Sequence, residues 1–385
     1  MAERGENCLI AVTGQPTAIT NSVIAGILDE VGEGVHIADV FGATTGVGGI
    51  ADGKLVDLGA QKRKTIEGLR RTPGSVLSGR HRVLKEEEGA RFVEVLRANE
   101  IGTLFLVGGL PAVGLLQYFI QAAEKENYPL VALAAPVSAE NDVNAGDHTP
   151  GYGSAARFVA TTVRDAARDA GAAEEPILVI EILGKTSGWL AASSALARDE
   201  QSAAPHAIIL PERAPEREAL VDELRRAYQK YGYAVAVTTE GAKDSDGNAL
   251  DGAALSTLLA AQLGVPARVE KLGAVARSAG ASVARADGEE AYNMGSLMVR
   301  LAGDDCSGYL VSIQRDAHSG NDRNDRERGY RSIEGTARLD QVGETAKVLP
   351  DAYLNANGLG VSPAFIDWVK PLIGGALAEY VSLSD

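Results

Sequence analysis

Short apolar runs, separated by amphipathic stretches, constrain this chain more than any other feature. CLIAVTG, GTLFLVGG, PLVALAAP, PILVIEILG, HAIILPE and YAVAVTTEG each end at glycine, proline or a polar turn. Between them lie stretches with helical spacing: NSVIAGILDEV, EEEGARFVEVLRANE, SAARFVATTVRDAARDA and EALVDELRRAYQKY. A strand that is apolar on both faces is buried on both, and a parallel partner needs a helical crossover. The alternation therefore predicts an α/β chain with mostly parallel, doubly wound sheets. At 385 residues the chain exceeds one compact core, so two domains are expected.

In open parallel sheets, ligands sit beyond the carboxyl ends of the strands. Polar and glycine residues follow five of the predicted strands: Thr13-Gly14-Gln15-Pro16-Thr17, Gly108-Gly109, Val137 to Asp142, Leu183 to Gly188, and Glu240-Gly241. Any one of these reads equally well as an ordinary turn, but five together predict a cleft. One of them poses a problem. LFLVGGLPAVG begins as a strand entering a phosphate-binding glycine turn, then places Leu110, Pro111 and Ala112 where such a turn carries polar groups. Leucine cannot ligate Mg²⁺, proline has no N–H and alanine has no hydroxyl.

The 37 Lys+Arg and 52 Asp+Glu give a net charge of −15. Such a surface repels nucleic acid and anionic membranes but tolerates a small phosphorylated ligand. Two cysteines, Cys8 and Cys306, make no disulfide framework and predict a reduced, cytoplasmic setting. No signal peptide and no 18-residue apolar run is evident. His36, His81, His148, His206 and His318 show no metal-ligand spacing. The highly charged stretch from Arg315 to Ser332 reads as a solvated loop.

The order of these motifs resembles the phosphofructokinase family, specifically its long-chain pyrophosphate-dependent branch. TGQPTAITNSVIAGI is similar to that branch's first turn, and APVSAENDVNAGDHTPGYGSAARFVA to its VPKTIDND and GTDHTPGFGSAAKYIA stretches. VIEILGKTSGWLAASSALA resembles VEVMGRNAGWLTAAAALA. PHAIILPE, VTTEGAKDSDGNAL, ARSAGASVARADGEEAY and LPDAYLNANGLGVSPAFIDWVKPLIGG follow in the family's order, so the resemblance covers nearly the whole chain.

The resemblance implies two Rossmann-like three-layer domains with an inter-domain cleft: a donor-side domain of residues 1–145 plus about 270–300, and a sugar-phosphate-side domain of 146–269 plus about 301–385. It implies phosphoryl transfer to fructose 6-phosphate or a related sugar phosphate, with pyrophosphate favoured over ATP as donor, and a homodimer or homotetramer. Carried over by position, Glu140 stands where the family has its catalytic aspartate, Asp142 matches the second acid, and Lys185 replaces an arginine. Ser138, Gly184, Glu240 and Arg277 fall in the sugar-phosphate motifs. Gly14, Gln15, Gly108 and Gly109 fall in the phosphate turns, with Arg80 and Arg82 near the arginine between donor and acceptor.

The departures gather on the donor side. Gln15 replaces a glycine, Val137 replaces the lysine that marks pyrophosphate use, and Leu110 replaces the acidic Mg²⁺ ligand. Mg²⁺ dependence is therefore doubtful, and the expected metal ligand set is none. Besides the phosphotransferase, two alternatives stay open: a regulatory, non-catalytic paralogue, even one paired with an active partner in a hetero-oligomer, and an enzyme repurposed for other chemistry on a phosphorylated sugar.

Overall fold

The computed structural model describes residues 6–34, 37–80, 83–316 and 330–381. Two compact units form, one from Met1–Gly151 with Arg285–Ala346 and the other from Tyr152–Ala284 with Lys347–Asp385. The chain thus passes between units after residues 151, 284 and 346.

In unit 1 the described residues build a seven-stranded sheet. Its strands are β1 (Asn7–Thr13), β2 (Val40–Ala43), β3 (Leu55–Asp57), β4 (Ile101–Gly108), β5 (Val131–Pro136), β10 (Tyr309–Arg315) and β11 (Ser332–Arg338). They lie in the order β11-β10-β5-β4-β1-β2-β3. The middle pairs are parallel, and β3 and β11 run antiparallel at the edges. Every residue of β4 and β5 is buried, as their unbroken apolar sequence requires. Helix Thr20–Gly32 packs against helix Arg285–Gly303 at backbone contact. A Cβ on Gly26 would meet the Tyr292 carbonyl oxygen at 2.0 Å, so only glycine allows this approach.

Unit 2 holds a parallel four-stranded sheet, again among described residues: β6 (Ile177–Ile182), β7 (Ala207–Ile208), β8 (Ala234–Thr239) and β9 (Ala267–Lys271), ordered β7-β8-β6-β9. Trp189 is 1% exposed and sits among the rings of Tyr152, Tyr353, Phe365 and Trp368, with the Trp368 centroid at 4.9 Å. The SGWLAA stretch is therefore an aromatic core element.

The boundaries expected from the sequence need correction at three places, the smallest being residues 146–151, which belong to unit 1. Residues 301–346 belong to unit 1, because β10 pairs in parallel with β5 and carries β11 with it. Residues 270–284 belong to unit 2, because β9 pairs with β6 and the Ala284 N–H donates to Ser154 Oγ at 3.0 Å. The stretch read as a loop from Arg315 to Ser332 begins and ends in strands; its residues 317–329, with His318, lie outside the described residues. So do His36, His81 and Arg82.

Candidate active site

In unit 1 the turns after β1, β4 and β5 lie side by side because those strands are sheet neighbours. A Cβ placed on Gly14 would stand 3.8 Å from Pro111 Cγ, and one on Gly109 would stand 3.5 Å from Ser138 Cβ. The Val137 N–H donates to the Gly108 carbonyl at 3.0 Å, which ties the second turn to the third. Arg80 lies in an exposed loop whose Gly79 abuts the Gly14 carbonyl, so its backbone runs beside the first turn. Gln15 is exposed, whereas Val137 is 2% exposed and packs inward. The valine expected to stand in place of a lysine is thus a core contact.

The GGLPA segment starts a helix. Leu110 has helical backbone angles and Pro111 opens helix Pro111–Lys125. At that position proline's fixed φ suits the helix and its missing N–H costs nothing. The proline is therefore not the obstruction its lack of a donor suggested. The next amides matter more: Ala112 N–H donates to Gly109 O at 2.9 Å and Val113 N–H to Leu110 O at 3.1 Å. Two N–H groups that a phosphate cradle would turn outward are spent on the turn itself. The Leu110 side chain packs against the apolar core beside β4.

The third turn carries the acids. Asn141, fully buried, holds φ of +52°, a left-handed conformation that asparagine tolerates. Its Oδ1 accepts the Thr149 N–H at 2.9 Å, and the Ser138 N–H donates to Pro150 O at 3.0 Å. The Glu140 N–H donates to Ser138 Oγ at 3.1 Å. Burial pushes the Asp142 carboxyl above its ordinary range, partly offset by the Ser138 hydroxyl, and Asp142 Oδ1 is buried with no hydrogen-bond partner among the described residues. No group of three or more His, Cys, Asp or Glu among the described residues could hold a metal ion. A Mg²⁺ carried by diphosphate oxygens needs only one or two protein carboxylates, which Asp142 fits and Leu110 does not.

In unit 2 the expected residues also cluster at strand ends. Gly184 and Lys185 follow β6, Glu240 follows β8, and Arg277 follows β9, and β6 lies between β8 and β9. The Gly241 N–H donates to Gly184 O at 3.3 Å. A Cβ on Gly241 would meet Lys185 O at 1.9 Å, so glycine is required for the two turns to touch. Lys185 and Glu240 are exposed and Arg277 half-buried, and among the described residues none of the three has an ion-pair partner. Lys271, at the end of β9, escaped sequence reading. It pairs with Glu181 at 2.8 Å, and the Glu181 hydrogen bond, with Glu240 contributing least, raises its pKa. Its strand, ARVEK, is too polar to stand out as a buried run.

These two clusters sit on the scaffold that the sequence comparisons recognise. The phosphofructokinase family model matches residues 7–302, and the chain belongs to that family. Among its relatives, a pyrophosphate--fructose 6-phosphate 1-phosphotransferase from Methylococcus capsulatus is 30% identical over 98% of this chain and 96% of that protein. A sulfofructose kinase from Alkalicoccus urumqiensis is 28% identical over 94% of each chain. The solved structure of a pyrophosphate-dependent phosphofructokinase from Nitrosospira multiformis superposes with a TM-score of 0.89 at 26% identity, covering 99% of this chain and 94% of that one. No helix among the described residues is long and apolar enough to cross a membrane.

Proposed function

We propose that this protein transfers a phosphoryl group from pyrophosphate to the 1-hydroxyl of fructose 6-phosphate. The observation that carries this reading is the end-to-end relationship to a pyrophosphate--fructose 6-phosphate 1-phosphotransferase, 30% identical over 98% of the chain. The charges at the unit 2 strand ends support it, since Lys185, Arg277 and Glu240, with no ion-pair partner among the described residues, suit a phosphorylated sugar. In this reading Arg277 and Lys185 bind the anionic groups of the sugar phosphate, and Glu240 and the Gly184 turn bind its hydroxyls.

Glu140 accepts the proton of the 1-hydroxyl, and that oxygen bonds to a phosphorus of pyrophosphate as the bridging P–O bond breaks and orthophosphate leaves. Ser138 orients the turn that carries Glu140. Asp142 would hold Mg²⁺, which neutralises diphosphate charge when bound. Gly14, Gln15, Gly108 and Gly109 line the donor turns, with Arg80 beside them. Pyrophosphate is preferred to ATP because the relative matched over 98% of this chain is named a pyrophosphate--fructose 6-phosphate 1-phosphotransferase. The expected assembly is a homo-oligomer.

Phosphoryl transfer followed by phosphorus NMR, with fructose 6-phosphate and either pyrophosphate or ATP, tests the reading. Fructose 1,6-bisphosphate from pyrophosphate alone is the expected product. Product from ATP alone would reverse the donor assignment, and none from either would leave a regulatory or repurposed paralogue. The sulfofructose kinase relative makes a sulfonated fructose the second acceptor to assay.

A further inference from the structure

We propose that Asp287 and Glu290 are positioning residues for this reaction. From one face of helix Arg285–Gly303 they clamp the loop Asp147–Gly151, and through that loop they set the Ser138–Asp142 turn. The inference rests on the functional reading above, which places Glu140 and Asp142 of that turn at the chemistry.

The chain of contacts is continuous and buried. Asp287 and Glu290 are three residues apart on the helix, hence on one face, and are 2% and 5% exposed. Asp287 Oδ1 accepts the Gly151 N–H at 2.7 Å, and Glu290 Oε2 meets His148 Nε2 at 2.8 Å. The clamped loop then reaches the acids by two bonds: Thr149 N–H to Asn141 Oδ1, and Ser138 N–H to Pro150 O. Asn141 lies between Glu140 and Asp142, so its placement sets both. A shift of about 1 Å in such a turn can cost on the order of 100-fold in rate.

His148 is faced by charged and titratable groups on every side. Glu290 comes from the helix. Asp147 Oδ2 lies 3.2 Å from Nδ1, and the Tyr330 hydroxyl 3.4 Å from it. Arg315, on β10, binds Asp147 Oδ2 at 3.2 Å and covers the Tyr330 ring. Burial opposes charge on His148, yet Glu290 and Asp147 raise its pKa to about 9. Burial likewise pushes Glu290 up, but the imidazolium beside it holds the carboxyl below its ordinary range. The clamp is an ion pair at neutral pH. A buried carboxylate and imidazolium at hydrogen-bond distance fix a loop more firmly than neutral partners do.

The test uses the full-length protein with pyrophosphate and fructose 6-phosphate, together with backbone hydrogen exchange of residues 138–151. Glu290→Gln is expected to lower kcat roughly 10- to 100-fold with little change in KM. The wild-type pH–rate profile is expected to fall near pH 9, and this variant should move that alkaline limb to lower pH, because the imidazole loses its counter-charge. Asp287→Ala should speed exchange at Gly151 and lower kcat, whereas Asp287→Asn, which keeps an oxygen acceptor, should restore both. Unchanged kcat and an unmoved limb in Glu290→Gln would overturn the proposal, as would loss of exchange protection with no loss of rate. A wild-type protein that transfers nothing would sink the functional reading, while exchange in Asp287→Ala and Asp287→Asn would still decide the clamp.

Discussion

The strand-end turns of the two units have been built on opposite terms. In unit 1 they are braced against one another: Gly14 against Pro111, Gly109 against Ser138, Asn141 against Thr149. Several of their backbone amides are satisfied within the turns themselves, as at Ala112, Val113, Val137 and Glu140. In unit 2 the turns bring Lys185, Glu240 and Arg277 to the strand ends and, among the described residues, leave those charges without ion-pair partners. Bracing preserves a backbone path whatever side chains ride on it, so apolar side chains such as Leu110 and Val137 sit in these turns without disturbing them. Unpaired charge gives no comparable structural return, so its presence at the strand ends is the stronger sign of ligand binding.

Four measurements bear on this contrast. The largest effect is expected at Glu140, the one unit 1 side chain assigned direct chemistry: Glu140→Gln should lower kcat by about 10²- to 10⁴-fold, the usual scale for a general base. A smaller loss would place the base elsewhere and weaken the unit 1 assignment. In unit 2, Arg277→Ala should weaken fructose 6-phosphate binding by about 1.5–3 kcal/mol in titration calorimetry, with the melting temperature unmoved. A drop in stability of that size would mean that Arg277 is bracing after all.

Next comes pH. His148 has its pKa raised from 6.5 to about 9 in the folded protein, so the stability it contributes is complete below pH 6.5 and is lost as pH rises through 9. Glu290, held below 4.5, contributes stability above that value and loses it as pH falls. Thermal melts of wild type should therefore fall more steeply between pH 7 and 10 than those of His148→Gln; parallel curves would show that the imidazole is uncharged. The smallest effect is expected from Leu110→Asp. It supplies a carboxylate where the turn has none, at a cost of about 1 kcal/mol in lost apolar contact. A few-fold gain in Mg²⁺ dependence is expected, and no gain would show that the inward-turned amides of Ala112 and Val113 limit the cradle.

The sequence made the buried strands legible because β1, β4, β5, β6 and β8 are apolar on both faces. It hid β3, β9 and β11, which lie at sheet edges where polar residues are tolerated. Missing β9 also hid Lys271, and missing β10 moved 301–346 into the wrong unit. Motif order located Glu140, Asp142, Lys185, Glu240 and Arg277 at strand ends. It said nothing of Asp287 and Glu290, whose partners lie more than a hundred positions away. His148 was visible as part of the DHTPGYGS motif and as a histidine without metal spacing, but its partners were not, since they sit on a helix that no local pattern links to it.

The insertion of β10 beside β5 bears on how the protein emerges from a ribosome. Synthesis runs from the amino terminus, and 172 residues separate the end of β5 at Pro136 from the start of β10 at Tyr309. During that interval β5 is a nascent sheet edge: apolar, entirely buried in the finished protein, and without its neighbour. The strands of unit 2 are completed by Lys271, before that neighbour has been made. The growing chain therefore carries one sheet with all its strands translated and another still awaiting a partner. Hydrophobic strands exposed in this way invite association between nascent chains, a hazard that depends on translation speed and chaperone supply.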